Sequence, residues 1–343
     1  MNTPKISVLI PTYNRRNYIE QCIDSALNQT FQDYEIIISD NASTDGSADF
    51  VAEKYAAEIS AGKIKLYLNE KNMGAAFNHN KLVHEATGKY FMFLHSDDIY
   101  LSHALQNMYE IAERFNADVV HETKFWTTPP DGIVNPNKLI LFDYDRKQIN
   151  DTEVMSDDPV LRFYTWYSDI GIDVQHNVFN RKFFLENDLR FENFTDFRLL
   201  ALKWVMKAKV LVKTPTPFYV YRNSAEQDTN SEFPPERVAK LILDQMQMSR
   251  HLDEFFAGDD FFRDNKELQY IARSNLFSII DSFWVVRNGV YRNGITPELN
   301  QAVEAAFRKY LGDDAPFPTF LFHWIHAAVC GKPVNMITPS NNK

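Results

Sequence analysis

An uninterrupted apolar stretch, Tyr90 to Leu94, ends without a spacer at the polar residues His95, Ser96, Asp97 and Asp98. A run of this length and composition is typical of a parallel strand that is buried on both faces. Open α/β sheets bind their ligands at the carboxyl ends of the strands, so the sequence puts two neighbouring acids at a ligand-binding edge.

Asp97 and Asp98 need a compensating partner at such an edge. Adjacent carboxylates repel each other, and burial disfavours their charged forms unless a cation or hydrogen-bond donors lie close. Carboxylate oxygens are hard ligands that suit Mg²⁺ or Mn²⁺, and these ions keep coordination positions open for substrate phosphates. We therefore predict a divalent metal held by Asp97 and Asp98. On these residues alone an alternative stays open, in which Asp97 caps the next helix and Asp98 is solvated.

Strand and helix patterns alternate through the first part of the chain. Apolar, β-branched runs predict strands, and apolar residues at three- and four-residue spacing predict amphipathic helices, the first of which buries Cys22 as a core residue. The alternation predicts the α/β class, with a mostly parallel sheet flanked by helices on both faces. The predicted strands are Lys5 to Ile10 (halted by Pro11), Glu35 to Ser39, Ile64 to Leu68 and Tyr90 to Leu94, and the helices follow Tyr18, begin near Ser47, run through Ala75 to Glu85 and precede Asp118.

The regular alternation of strand and helix patterns ends after Glu122. A Pro-rich turn, Pro129 to Gly132, opens a less periodic region that extends to about Asp173, and such a region often shapes a substrate pocket. From Pro234 the apolar spacing is helical, so we place a domain boundary near Ser231 and a C-terminal helical region over 232–343. Between these parts we predict strands over 174–180, 209–212 and 218–221 and a helix from Thr195 to about Lys207.

Composition excludes several classes of protein. With 343 residues, 45% of them apolar, the chain can bury one large core or two. A formal charge of -10 without clustered Lys and Arg argues against a nucleic-acid partner. Cys22 and Cys330 are the only cysteines, which suits a reducing compartment. Because neither a signal-peptide pattern nor an apolar run of membrane-spanning length is present, we expect a cytoplasmic protein.

The usual phosphate-binding loops are missing. The sequence contains no Gly-X-Gly-X-X-Gly and no Gly-Lys-Ser/Thr, which argues against dinucleotide enzymes and P-loop phosphotransferases. It also has no His/Cys cluster at zinc spacing and no Gly-X-Ser-X-Gly elbow. What remains is a metal at the strand ends that could neutralise a diphosphate.

Four consecutive blocks carry a resemblance to a known family. They are Ile6 to Asn14 (Ile-Ser-Val-Leu-Ile-Pro-Thr-Tyr-Asn), Glu35 to Asp45, Asn72-Met-Gly74 with Asn80, and Phe93 to Asp98. In this order they resemble the signatures of family-two glycosyltransferases over about Lys5 to Asn230. The resemblance implies the nucleotide-diphospho-sugar transferase fold, called GT-A, and transfer of a sugar with inversion at the anomeric carbon. It divides a glycosyltransferase domain over 1–231 into a nucleotide-binding half, 1–122, and an acceptor half, 123–231.

The resemblance implies a set of donor contacts. Thr12 and Tyr13 would lie against the base and ribose, and Asp40 would accept a hydrogen bond from the uracil N3–H. Uracil and thymine carry that donor between two carbonyls whereas cytosine does not, so a carboxylate there selects UDP or dTDP donors. Asp40 could instead cap a helix, and Arg15 could either reach the diphosphate or be solvated. The other expected donor-site residues are Asn72 and Gly74 in the loop beside the nucleotide, Asn80 in the helix that follows, Ser96, and Arg222 at the diphosphate.

The family's Asp-X-Asp motif corresponds to His95, Ser96 and Asp97. Its third position supplies the metal ligand, which makes Asp97, with Asp98 beside it, the expected site for Mn²⁺ or Mg²⁺. The first position normally holds an acid beside the ribose, and here it is His95. A histidine can hydrogen-bond a hydroxyl or bind a metal, and it can also close a buried strand without any function.

A second chemical site is expected at Asp196, which occupies the position of the family's general base. The acceptor hydroxyl must lose a proton as it attacks, whereas the leaving diphosphate is stabilised by the metal and needs no acid. A single displacement with one base gives inversion. Thr195 stands where the family usually has a glutamate. The pair could also act only as a helix cap, with Asp196 favouring the helix dipole.

The resemblance implies a UDP-sugar donor and a glycan or lipid-linked glycan acceptor of a bacterial surface polysaccharide. The apolar stretch Phe317 to Val329 is expected to be buried, and the alternatives are peripheral contact with the inner face of the plasma membrane or a homodimer. Two other functions stay open. One is a sugar nucleotidyltransferase, which normally carries a Gly-rich basic loop that is absent here. The other is a catalytically weakened binding module for a sugar nucleotide or glycan, suggested by His95 and Thr195.

Overall fold

The computed structural model describes residues 3–143, 149–168, 174–192, 197–223, 251–269, 271–272, 301 and 305. The chain divides into two compact units, Met1–Asn230 and Ser231–Lys343. The first unit contains a large sheet, a small sheet and the helices that cover them.

The large sheet is built on the four strands that the apolar runs predict. Its eight strands have the spatial order β3-β2-β1-β4-β10-β6-β11-β9. The strands are β1 (Ile6–Thr12), β2 (Tyr34–Asp40), β3 (Ile64–Leu68), β4 (Tyr90–Phe93), β6 (Val119–Glu122), β9 (Glu153–Val154), β10 (Asn177–Asn180) and β11 (Leu211–Thr214).

Most of this sheet is parallel. Strand β1 pairs in parallel with β2 and with β4, and β2 pairs in parallel with β3. Strand β10 is antiparallel to both β4 and β6, and β6 is parallel to β11. The predicted mostly parallel α/β sheet is therefore confirmed, with the antiparallel β10 inserted between its two parallel parts.

The prediction that Pro11 ends the first strand is wrong. Strand β1 continues to Thr12, and Pro11 pairs with Ser39 of β2. The reason lies in the shorter neighbour: β4 pairs with β1 only as far as Leu9, whose carbonyl accepts from the Leu94 amide at 2.9 Å. Backbone groups two residues apart point to the same side of a strand, so the missing N–H of Pro11 faces a position that β4 has already left.

Of a second, four-stranded sheet, the sequence predicted only the strand over 218–221. Its order is β5-β12-β7-β8, and it joins residues that are far apart in the chain. It brings β12 against β5, with Tyr219 opposite Tyr100, so the segment after Asp98 is connected to the end of the first unit. The strands are β5 (Ile99–Tyr100), β7 (Lys124–Thr127), β8 (Ile140–Asp143) and β12 (Tyr219–Tyr221).

Helices cover both faces of the large sheet. Alternate residues of β1, including Ile6 and Val8, are buried in one apolar cluster with Cys22 and Met108, so α1 and α5 cover that face. Helix α4 packs on β1 and β2, where its Asn78 side chain donates to the Ser39 carbonyl at 2.9 Å. The helices are α1 (Ile19–Leu27), α2 (Ser47–Lys54), α3 (Ala56–Ser60), α4 (Ala75–Glu85), α5 (Ala104–Phe115), α6 (Pro159–Ser168), α7 (Arg181–Glu186) and α8 (Arg198–Lys207), and a 3₁₀ turn spans Val174–His176.

The second unit is helical where it is described. Residues 251–258 and Asp260–Arg263 are helices, and Leu252, Phe256 and Phe262 are buried among them. The apolar stretch Phe317 to Val329 and most of the helices predicted after Pro234 lie outside the described residues. Across the ranges that the structure describes, no helix has both the length and the apolar character needed to cross a bilayer.

Candidate active site

Three neighbouring parallel strands end at one edge of the sheet. Thr12 at the end of β1 pairs with Asp40 at the end of β2, and β4 ends at Phe93, with only Leu94 between it and His95 to Asp98. Because these strands share their direction and their register, the polar residues that follow them converge on one region. The structure thus brings together three of the four motif blocks on which the resemblance rests.

Asp40 closes its own turn at this edge. It is 1% exposed, and its two carboxylate oxygens accept from the Ser43 amide at 2.8 Å and from the Ser43 hydroxyl at 2.6 Å. Beside it the Thr12 hydroxyl is buried without a hydrogen-bond partner. A buried hydroxyl without a partner is costly unless a ligand supplies one. Tyr13, the next residue, is 42% exposed, which leaves its ring available as a stacking surface.

Four amide–side-chain hydrogen bonds hold the loop after β1 against the loop after β2. The Asn14 amide donates to the Ser43 hydroxyl at 2.8 Å, and the Thr44 amide donates to Asn14 Oδ1 at 2.8 Å. The amides of the next two residues, Arg15 and Arg16, donate to Ser47 Oγ and Asp45 Oδ2. Asn14 adopts φ 51, a left-handed conformation that asparagine tolerates better than most residues. These contacts fix the two loops as one wall of the site.

Asn41 is a functional candidate that the sequence analysis missed. Its amide nitrogen donates to Asn72 Oδ1 at 2.8 Å and to the Gly74 carbonyl at 3.2 Å. Its oxygen accepts from Asn69 Nδ2 at 3.1 Å and from the Met73 amide at 3.0 Å. The predicted loop of Asn72 and Gly74 is therefore fastened to the end of β2 by one buried side chain. The only sequence signal was its position directly after a buried strand.

Asp97 faces a cation. Arg15 Nε lies 3.3 Å from Asp97 Oδ2, and the two side chains are 22% and 16% exposed. The Arg15 guanidinium also donates to the Asn14 carbonyl at 3.2 Å. The structure thus brings together the residue predicted for the diphosphate and the residue predicted for the metal. Ser96, between His95 and Asp97, is buried.

Asp98 has different surroundings from Asp97. It is 1% exposed, and its carboxylate accepts from the Tyr219 hydroxyl at 2.6 Å and from the Arg222 amide at 2.8 Å. Burial, followed by the charge of Asp97, raises the pKa of the Asp98 carboxyl well above its usual range. These contacts join the loop after β4 to β12 and its following residue. The metal-ligand role expected of Asp98 stays a prediction.

The Arg222 side chain is buried, and its expected contact with the diphosphate stays a prediction. It is 5% exposed, and Nε donates to the Asp97 carbonyl at 2.7 Å. Its other nitrogens donate to the Gly132 carbonyl at 2.8 Å and to Gln21 Oε1 at 2.6 Å. Arg222 thus holds the backbone of the metal-ligand candidate in place from the far end of the first unit.

Two buried histidines lie next to each other behind the site. The rings of His79 and His95 are 6.0 Å apart in an edge-to-face arrangement. Burial lowers the pKa of His95 to about 4, with smaller effects from His176 and Arg15, and lowers the pKa of His79 to about 3, with a smaller effect from His95. Both rings are consequently neutral at neutral pH, so His95 does not reproduce the charge of the acid usual at its position.

Asn80 pairs with a backbone segment, whereas the resemblance placed it beside the nucleotide. Its amide nitrogen donates to the Phe191 carbonyl at 2.8 Å, and its oxygen accepts from the Phe191 amide at 2.9 Å. This double hydrogen bond holds the chain just before residues 193–196 against α4. Asp196 and Thr195, the predicted base and its neighbour, lie outside the described residues.

The residues present fit a divalent metal that takes most of its ligands from a substrate. Asp97 offers a partly exposed hard oxygen. No group of three or more His, Cys, Asp or Glu side chains suited to a metal occurs among the described residues. Mg²⁺ and Mn²⁺ sites built from one or two carboxylates plus substrate phosphates have this composition. The arrangement can bind a nucleotide between two loops and a diphosphate near Arg15 and Asp97.

Comparison with known proteins agrees with this geometry. The family model described as glycosyl transferase family 2 matches residues 7–188, more than half of the chain. A Campylobacter jejuni protein named GalNAc(5)-diNAcBac-PP-undecaprenol beta-1,3-glucosyltransferase is 37% identical over 117 residues, which cover 34% of this chain and 37% of that protein. The match thus spans well under half the length of this relative.

Two solved structures have a similar fold. Staphylococcus aureus TarS 1-349 in complex with UDP-GlcNAc has a TM-score of 0.63 at 17% identity, covering 95% of this chain and 87% of that one. The mannosyltransferase PcManGT from Pyrobaculum calidifontis, in complex with GDP-Man and Mn²⁺, has a TM-score of 0.50 at 16% identity, covering 97% and 82%. The predicted GT-A fold is confirmed, and the extent of the family match shows that the chain belongs to glycosyl transferase family 2.

Proposed function

We propose that this chain transfers a sugar from a UDP-sugar to a hydroxyl group of a bacterial surface glycan, with inversion and with the help of a divalent metal. The observation that carries the proposal is the convergence of Thr12, Asp40 and the Arg15–Asp97 pair at the carboxyl ends of adjacent parallel strands. A nucleoside diphosphate has a base, a ribose and two phosphates in that order, and this edge offers a matching series of groups.

The base end of the donor is assigned to Thr12, Tyr13 and Asp40. The buried Thr12 hydroxyl lacks a partner, and the exposed Tyr13 ring gives a planar surface for stacking. Asp40 accepts two hydrogen bonds from Ser43, and a carboxylate retains further acceptor positions for a uracil N3–H. The loop of Asn72 to Gly74 is held next to the end of β2 by Asn41, the residue that follows Asp40.

The diphosphate end is assigned to Asp97 and Arg15. Asp97 would hold Mn²⁺ or Mg²⁺, and the metal would supply charge neutralisation for the leaving diphosphate. Arg15 would move from Asp97 to a phosphate oxygen when the donor binds, since a guanidinium recognises phosphate as it does carboxylate. Asp97 is favoured over Asp98 as the metal ligand because the Asp97 side chain is 16% exposed, whereas Asp98 is 1% exposed and accepts from the Tyr219 hydroxyl and the Arg222 amide.

The acceptor hydroxyl needs a base, and we assign this role to Asp196. A carboxylate accepts the proton while the hydroxyl oxygen attacks the anomeric carbon from the face opposite the diphosphate, so a single displacement inverts the configuration. The Asn80–Phe191 pair anchors the segment that leads to Asp196. The lipid-linked glycan in the name of the Campylobacter relative supports an acceptor of this kind.

The test is a screen of UDP- and dTDP-sugars with Mn²⁺, with and without glycan acceptors, in which nucleotide release is measured. We expect release to require the acceptor, Asp97 and Asp196. Asp97→Asn and Asp196→Asn should each lower kcat by at least about 100-fold, the lower range for loss of a general base. Asp33→Asn, a matched change at an exposed acid before β2, should leave the rate unchanged.

Two outcomes would refute the assignment. If Asp196→Asn releases UDP at the wild-type rate with acceptor present, Asp196 is not the base. If no donor turns over but UDP binds and Asp40→Asn abolishes that binding, the chain is a sugar-nucleotide-binding module. The anomeric configuration of the product, measured by NMR, tests inversion separately.

A further inference from the structure

A second cleft lies at the opposite edge of the sheet from the candidate active site. It has a volume of about 530 Å³ and is formed where β1 and β4 begin and where β10 passes into α7. Strand β1 rises about 3.3 Å per residue, so the cleft is roughly 20 Å from Thr12. We call it the basic cleft, after the four cationic side chains that line it: Lys5, Lys89, Arg181 and Lys182.

The pairing of three strands places these cationic residues next to one another. The Tyr90 amide donates to the Lys5 carbonyl at 3.0 Å, and the Arg181 amide donates to the Lys89 carbonyl at 2.9 Å. Lys5, Lys89 and Arg181 thus flank the hydrogen-bonded ends of β1, β4 and β10, three adjacent strands about 4.8 Å apart. Like charges at such neighbouring positions destabilise a sheet. The three residues are far apart in sequence, so no cluster is visible there.

Nearby carboxylates neutralise only part of this charge. Lys89 pairs with Glu113, and Lys182 pairs with Glu186 at 3.7 Å. Burial would raise the pKa of Glu113, but hydrogen bonds from Lys89 and Tyr90 and the charge of Lys89 lower it. The charge of Lys5 adds a smaller lowering, without pairing with Glu113.

Lys5 and Arg181 form no ion pair with any residue in the described part of the chain. The Arg181 Nε, moreover, is buried without a hydrogen-bond partner. The cleft therefore keeps two uncompensated positive charges in a chain whose formal charge is -10.

We propose that the basic cleft binds a ligand with several phosphate groups. Its volume lies in the range of clefts that enclose small-molecule ligands, and it exceeds what one phosphate would fill. Arg and Lys side chains form charge-assisted hydrogen bonds with phosphate oxygens, and a ligand oxygen at Arg181 would give its Nε the acceptor that the protein does not provide. This site does not depend on the sugar donor, since its residues are separate from those at the other edge.

The ligand could be a small soluble phosphate compound or the phosphate groups of an anionic polymer, and two probes distinguish them. The full chain is titrated by calorimetry with tripolyphosphate and, separately, with long-chain polyphosphate. The variant Lys5→Gln/Arg181→Gln removes the two uncompensated charges. Lys138→Gln is a matched control, because Lys138 is exposed and lies outside the cleft. Arg15→Gln reports any binding at the candidate donor site, where Arg15 is the residue assigned to phosphate.

We expect the double variant to bind the preferred probe at least about 10-fold more weakly, as the loss of one or two charge-assisted hydrogen bonds predicts. Lys138→Gln and Arg15→Gln should bind like the wild type. Lys5→Gln alone changes only an exposed side chain and should weaken binding by a smaller factor, which guards against misfolding of the double variant. The probe with the higher affinity identifies the source of the phosphates.

Three results would overturn the proposal. The first is that neither probe binds. The second is that the double variant binds as tightly as the wild type, or that Arg15→Gln abolishes binding. The third is that phosphatidylglycerol vesicles bind the chain while both soluble probes do not, since a flat anionic surface would then be the partner of these cations.

Discussion

Replacing His79 by phenylalanine tests whether the buried His79 ring, next to the candidate site, stays unprotonated in the folded protein. His79 is 5% exposed, and its Nδ1 lies 2.8 Å from the Ala75 carbonyl oxygen. Because that oxygen can only accept, Nδ1 carries the hydrogen and Nε2 is unprotonated. Nε2 is buried without a hydrogen-bond partner. The ring is surrounded by Phe93, Phe191 and Phe197, with centroids 5.0, 4.8 and 5.2 Å away. A second proton would find no acceptor there, and burial accordingly lowers the pKa of His79 from 6.5 to about 3.

The sign and size of the effect follow from this shift. The unfolded chain binds a proton at this histidine below its ordinary pKa, whereas the folded chain does not until about pKa 3, so stability is lost as the pH falls between these values. The whole pKa shift corresponds to about 5 kcal/mol in the free energy of unfolding. About 2 kcal/mol of this is lost as the pH falls from roughly 7 to 5. His79→Phe keeps an aromatic ring in place and removes this loss.

Two assays measure this effect of the His79 pKa on stability. Urea unfolding at the two pH values should show the free energy of unfolding falling by about 2 kcal/mol more for the wild type than for His79→Phe, with the other titrating groups common to both. NMR of labelled histidines, with the His79 signal identified by its absence in the variant, gives the pKa directly. A His79 pKa near the ordinary value of 6.5, or an equal loss of stability in both proteins, would refute the reasoning.

Three further changes test other parts of the first unit. Arg222→Lys should lower the free energy of unfolding by roughly 2–4 kcal/mol, because a lysine cannot reproduce the three contacts of the buried guanidinium; equal urea midpoints would contradict this. Asn41→Ala should speed amide hydrogen exchange at Met73, whose N–H donates to Asn41 at 3.0 Å, by about 10-fold, and unchanged exchange would contradict the anchoring role. Gly88→Ala should destabilise by about 1–3 kcal/mol, since a Cβ there would lie 2.7 Å from the Ser7 nitrogen; a wild-type thermal midpoint would show that the backbone relaxes.

The parallel core could be predicted from the sequence because its signals are local. The predicted bounds of β3 and α4 match the structure, since apolar runs and helical spacing are properties of a few neighbouring residues. The small sheet was predicted only as the strand over 218–221: β5 has two residues, and its pairing with β12 joins positions about 120 residues apart. Strand β10 was predicted as a strand over 174–180, but its antiparallel insertion depends on contacts with β4 and β6 that periodicity does not encode.

In the candidate site, the strand-end residues could be identified from their positions in the sequence. Their different surroundings depend on tertiary contacts. Asp97 and Asp98 are adjacent in the chain, yet one faces Arg15 and the other is buried under Tyr219. No local pattern distinguishes two such neighbours. Arg222 and Asn80 were expected at the ligand, but each is occupied with backbone groups far away in sequence. Metal binding at Asp97, the UDP-sugar donor and the role of Asp196 as general base stay predictions.

The hydrogen bond from the Arg222 amide to Asp98 spans 124 residues of chain. The loop that carries Asp97 can therefore reach its final geometry only after translation has passed Arg222 and that residue has left the ribosome. A nascent chain that contains all the strand-end motifs but ends before this point would have a sheet without a finished metal-ligand loop. Fragments cut between the two halves of the first unit should be inert for the same reason, even where they fold.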